Sequence, residues 1–195
     1  MEQLIQIDQA WLVAINNWNA PWADQLMWII SGKLTWLPLY AVLVGLLFGR
    51  FGWKKALVLL AGFGVAVGLS DYISSGIIKH LVCRPRPTHE PALEGLLHIV
   101  NNYRGGAYGF VSSHAANTMS CGLLFSLIWK NWKATLPLML WVAMNCYSRM
   151  YLGVHYPGDI IGGLLVGAAL AWMVYWALNR MGFVACGAET LSAGS

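Results

Sequence analysis

The chain has 195 residues, enough for one domain, and 58% of them are hydrophobic. Only 10% are charged, against about 25% in a soluble domain, which argues against a water-solvated globule and points to lipid as the solvent. The net charge of +4 is modest and no basic tract stands out, so nothing favours nucleic acid as a partner.

Residues 1–17 carry Glu2 and Asp8 but no Lys or Arg, so they lack the basic region of a secretory signal. Leu4, Ile5, Trp11, Leu12 and Ile15 recur near helical spacing. This predicts an amphipathic helix over residues 1–20, lying at the membrane interface or packing as an ordinary helix. A membrane span needs about 20 mostly apolar residues. The first candidate is 34–48, extended upstream by 27–30 across Ser31-Gly32-Lys33; the second is 56–78, interrupted by Asp71. The others are about 115–129, 135–147 and 160–178. These make an all-α, polytopic transmembrane helix bundle of about five spans, one domain over 1–195, with a flexible tail at 183–195. Eleven tryptophans suit the membrane interface. Asp71 lies about 12 Å down the second span from Lys79, and is expected to face the bundle interior with a structural partner. His80, His89 and His98 fall in a polar loop and read as solvent or substrate-rim residues. The 84–111 loop, with Pro85, Pro87 and Pro91 near its start and Gly105-Gly106 near its end, reads as a lid or headgroup-recognition loop. Cys83, Cys121, Cys146 and Cys186 show no metal spacing.

Five spans put Arg50, Lys54, Lys55, Lys130, Lys133 and Arg180 on one side. Lys33, Lys79, Arg84, Arg86, Arg104 and Arg149 fall on the other. Setting aside Lys79, Arg86 and Arg149, which have a chemical reason to be where they are, leaves six cations against three. The six-cation side is then cytoplasmic. The expected location is a bacterial inner membrane, with the other side facing the periplasm.

Three stretches on that other side carry chemistry: Lys79–Pro87, Ser112–His114 and Ser148–Asp159. Phosphoryl transfer is mostly positioning and charge stabilisation. Lys79, Arg86 and Arg149 offer a cationic clamp for phosphate oxygens, and Ser112 and Ser113 add hydroxyl and backbone donors at a helix start. His155 suits a nucleophile, because a neutral imidazole is nucleophilic. Asp159, four residues on across Pro157, is placed to hold its other ring nitrogen. His114 suits the general acid that protonates a leaving alkoxide, and such a pair predicts a bell-shaped pH–rate profile.

These residues resemble the signatures of the type 2 phosphatidic acid phosphatase (PAP2) family, which shares its site with vanadium haloperoxidases and glucose-6-phosphatase. Lys79, then six residues, then Arg86-Pro87 matches the first signature, and Ser148-Arg149 with His155 and Asp159 matches the third. The second, Pro-Ser-Gly-His, reads Val111-Ser112-Ser113-His114 here, with Val for Pro and Ser for Gly. The resemblance covers about residues 79–159. It implies a PAP2/haloperoxidase-like helical core, a phosphohistidine at His155, His114 as acid and a phosphate clamp of Lys79, Arg86, Ser112, Ser113 and Arg149. It also implies catalysis without metal or other cofactor. Near the motifs only Glu90, Glu94 and Asp159 carry carboxylates, too few for a two-metal site. The expected substrate is a phosphomonoester or pyrophosphate on a lipid held in the bilayer, with isoprenyl pyrophosphate and lipid A-type phosphate ranked first. The alternative is a catalytically silent lipid- or anion-binding or transport protein. A haem protein ligated by His114 and His155 fits poorly.

Overall fold

The computed structural model describes residues 2–184, which are helical without a β-strand. Its main helices are α1 (Glu2–Asn17), α2 (Pro21–Ile30), α3 (Leu37–Asp71), the short α4 (Lys79–Val82), α5 (Ser113–Trp129), α6 (Trp132–Tyr151) and α7 (Pro157–Arg180). Proline occupies the first turn of α2, α3 and α7, where an N–H has no intrahelical acceptor.

The expected upstream extension of the first span across residues 31–33 does not form: α2 stops at Ile30, and the 34–48 run becomes helical from Leu37 in α3. Thr35 Oγ1 donates to Ile29 O (2.6 Å) and Trp36 Nε1 to Ile30 O (2.8 Å), so side chains satisfy the carbonyls that a continuing helix would have used. Helix α3 then breaks at Gly52, whose φ of +71° suits a residue without Cβ. Leu43 and Leu47 before the break, and Leu60 and Phe63 after it, line one apolar cavity against Phe125 of α5. The chain therefore doubles back at Gly52. The second arm runs on through a π-helical segment, Tyr72–Ile78, into α4 and ends at Cys83 in the left-handed region.

Helices α5 and α7 pack most closely. A Cβ on Gly163 would collide with Ser112 O, and one on Gly167 with Ala116 O. Small residues let helix backbones approach in a membrane. The core joins α3, α5, α6 and α7 around Leu124, Phe125, Ile128, Trp141 and Leu178. Around it Leu57, Val65, Leu140, Ile161, Leu165 and Met173 are exposed, an apolar surface suited to a lipid environment. Leu37–Val82, folded back at Gly52, and Pro157–Arg180 each contain an apolar run long enough to cross a bilayer.

Helix α1 is docked as well as amphipathic. Leu12 is fully buried, while Leu4, Ile5, Ile7 and Trp11 stay exposed. Asn16 Nδ2 donates to Tyr151 O (2.7 Å) and His98 O (2.9 Å), and its Oδ1 accepts from His98 N (2.7 Å). His98 is thus not a rim residue: its ring also meets Asp24 of α2 at 2.9 Å, making it a strut under the loop. Of the expected tail, Phe183 and Val184 pack on the core instead of fraying; 185–195 lie outside the described residues.

Arg50 Nη1 donates to Trp129 O (2.8 Å), which places the Gly52 turn and the α5–α6 turn at one end of the bundle. The three motif stretches gather at the opposite end.

Candidate active site

Helix α7 begins with Pro157, and Asp159 in its first turn reaches back to accept the Tyr156 N–H at Oδ2 (3.1 Å). The same Oδ2 lies 3.3 Å from His155 Nδ1. His155 and Asp159 are 1% and 0% exposed. With Nδ1–H donating to Asp159, the lone pair sits on Nε2, which is buried and has no hydrogen-bond partner. Burial pushes the His155 pKa well below 6.5, and Arg86, Arg149, Lys79 and His114 push it further the same way. The ring is therefore neutral and surrounded by positive charge.

Each cation is placed by a different element. Lys79 opens α4, with Nζ 3.5 Å from Ser113 Oγ at the start of α5. Arg86 follows in the loop; its Nε donates to Tyr108 O (3.1 Å) and its Nη1 lies 3.5 Å from Val154 O. Arg149 ends α6, where Nη1 donates to Ser31 Oγ and Nη2 to Tyr103 OH (3.2 Å). Its Nε is buried without a partner. Burial would raise the Tyr103 pKa, but the charge and hydrogen bond of Arg149, with the charges of Arg86 and Lys33, together lower it. Such a group of cations, near an imidazole with a free lone pair, has the chemistry to hold an oxyanion.

Ser112 caps α5, its Oγ accepting from Ala115 N at 3.5 Å. Its own N–H donates to Asp159 O (2.9 Å). The backbone donor expected of Ser112 is therefore already engaged, and it ties α5 to α7. Ser113 and His114 occupy the first turn of α5.

The 84–111 loop is pinned at both ends. Arg86 N donates to Ala107 O (3.0 Å), Gly109 N to Arg84 O (2.9 Å) and Thr88 Oγ1 to Arg104 O (2.6 Å). Gly105, at φ +69°, packs where a Cβ would lie 2.6 Å from Arg86 Nη1. Asp71 does not face the interior as expected. It is exposed and accepts from Asn117 Nδ2 (3.1 Å). The π-helical segment after it changes the residues per turn, so an α-helical register counted back from Lys79 misplaces it.

The PAP2 superfamily profile matches residues 55–182. The chain belongs to the PAP2 superfamily. The lipid A 4'-phosphatase of Bacteroides thetaiotaomicron is 34% identical over 183 residues, 93% of this chain and 81% of that protein. The undecaprenyl-diphosphatase BcrC of Bacillus subtilis is 25% identical over 129 residues, 66% of this chain and 61% of that protein. The transmembrane PAP2-type phosphatidylglycerolphosphate phosphatase of Bacillus subtilis superposes with a TM-score of 0.69, covering 93% of this chain and 89% of its own. At 21% identity that likeness speaks for the fold. This chain is a membrane PAP2 lipid phosphatase, a phosphoric ester hydrolase.

The motif reading of this PAP2 chain missed four participants. Arg84 donates through Nη1 to Asp159 Oδ1 (3.1 Å) and through Nη2 to Asp8 Oδ2 (2.7 Å), and its guanidinium lies 3.9 Å from the Tyr156 ring centroid. Asp8 also accepts the Gly158 N–H at Oδ1 (2.7 Å), capping α7 from α1. Ser31 and Tyr103 hold Arg149. Position near Arg86 could have drawn notice to Arg84; nothing in the sequence links Asp8 to residue 159.

Proposed function

We propose that this phosphatase acts through His155 as nucleophile on a phosphomonoester or pyrophosphate of a membrane lipid, with a lipid A-type phosphate as the leading substrate. The observation that carries the reading is the orphaned Nε2 of His155, whose Nδ1 is held by buried Asp159 and whose surroundings are Arg86, Arg149 and Lys79. Nε2 attacks phosphorus as the bond to the lipid oxygen breaks. Burial and then the charges of Arg149, Lys33, Lys79 and Arg86 hold the His114 ring neutral in the free site; the phosphate's negative charge offsets those cations, so His114 takes up the proton that it gives to that lipid oxygen. A water then attacks the phosphohistidine, His114 takes the water's proton, and inorganic phosphate leaves. Lys79, Arg86, Arg149 and the Ser112 and Ser113 hydroxyls hold the non-bridging oxygens; all the named groups are protein side chains, and the scheme calls on no metal or cofactor. The extent of likeness to a lipid A 4'-phosphatase, 93% of this chain, favours the glycolipid; the shorter match to an undecaprenyl-diphosphatase supports a pyrophosphate lipid as the second reading. The six cations at the Arg50 end support an orientation with the site facing the periplasm of a bacterial inner membrane.

Phosphate release in detergent with EDTA tests the mechanism. His155→Ala is expected to abolish it; an unchanged rate removes the nucleophile. Release by the parent that is lost in His114→Ala excludes a silent lipid-binding protein.

A further inference from the structure

Beside the phosphate cations lies a groove of about 360 Å³ between the α2–α3 connection, α3, α5 and α6. Lys33, Trp36, Asp71, His114, Asn117 and Asn145 are among its lining residues. A second cavity of about 240 Å³ holds Tyr103 and Arg149, and His114 lines both. His114, with Ser31, Gly32 and Lys33, therefore borders both the groove and the cavity that holds Arg149. An oxygen protonated by His114 belongs to the leaving group, so the groove receives whatever that oxygen is attached to.

On the α3–α5–α6 side of the groove, away from the Lys33 ammonium, the polar groups offer acceptors. Asn117 uses Nδ2 on Asp71 Oδ1 (3.1 Å), which fixes its amide orientation because a carboxylate only accepts. Its Oδ1 is buried and unpartnered. Asn145 uses Nδ2 on Trp141 O (2.8 Å), leaving its oxygen to offer. Thr118, also in the lining, donates its hydroxyl proton to His114 O (2.8 Å) and keeps only lone pairs. Asp71 adds a carboxylate one side chain away. A buried acceptor without a donor is costly, so the fitting occupant brings N–H or O–H groups.

Resting on the phosphatase reading above, we propose that this groove is the leaving-group subsite and selects lipids that carry amide N–H or hydroxyl donors beside the phosphorylated carbon. Phosphorylated amino-sugar lipids meet that requirement. A polyprenyl diphosphate has only hydrocarbon beyond its phosphates, and phosphatidate has only ester oxygens, so both leave Asn117 and Asp71 unmet. Asp71 and Asn117 are the specificity-determining residues.

The test compares phosphate release from a phosphorylated glucosamine lipid and from a polyprenyl diphosphate. In Asp71→Ala and Asn117→Ala the ratio of kcat/KM for glycolipid over polyprenyl diphosphate is expected to fall roughly tenfold to hundredfold. An unchanged ratio overturns the subsite. A measurement without variants stands beside it. The phosphate-free glucosamine lipid should inhibit the parent competitively, and more strongly than a polyprenol of matched chain length; equal or weaker inhibition also overturns the proposal. A parent inactive on both substrates sinks the phosphatase reading instead, whereas an active parent with an unchanged ratio sinks only the subsite.

Discussion

Arg84 divides its two terminal nitrogens between carboxylates from distant parts of the chain, Asp8 in α1 and Asp159 in α7. Lysine has a single nitrogen and cannot span both. Arg84→Lys should lower kcat roughly tenfold to hundredfold through a misplaced Asp159, with a smaller change in KM. Asp8→Asn should cost less than Asp8→Ala, because the amide oxygen can still accept from Gly158 N; equal losses would mean that the α7 cap is irrelevant. The same shell sets the pH response. In the proposed mechanism His155 attacks only when neutral, and burial with the surrounding cations holds its pKa well below 6.5. As pH falls through 6.5 the free enzyme therefore keeps its nucleophile, and the acid limb of kcat/KM from His155 should fall well below that of free imidazole. An acid limb at 6.5 or above would contradict this placement. Residue type, spacing and the PAP2 resemblance together singled out His155, Asp159, Lys79, Arg86 and Arg149, and the fold brings these five to one end of the bundle. Asp8 and Ser31 were illegible, since their partners lie 76 and 118 residues away and are set by packing.

At the level of elements, the junction of α5 and α7 carries the site. Ser112 N–H to Asp159 O links the two helix starts, and Gly163 and Gly167 allow the approach. Gly167→Ala should destabilise by about 1–3 kcal/mol and lower turnover as well, since moving α5 outward carries Ser113 and His114 with it. Thermal inactivation in detergent, run beside the phosphate assay, checks both. The later helices were readable from apolar runs, because α5, α6 and α7 each extend only a few residues past the expected limits. Two features were not. The break after Ile30 depends on Thr35 and Trp36 folding back onto carbonyls, and the turn at Gly52 depends on one glycine among several in an apolar run.

For the whole molecule, the site and the basic turns occupy opposite ends of the bundle. Cys83 is exposed at the site end, whereas Cys146 is buried. A membrane-impermeant thiol reagent should label intact cells at Cys83 and lose that label in Cys83→Ala; a cysteine at position 133 should react only after lysis. The reverse pattern would invert the orientation. The guanidinium shared by Asp8 and Asp159 has a last consequence. Helices α1 and α7 must both be seated before that bridge closes, so a chain clipped between them should work with a loosened Asp159.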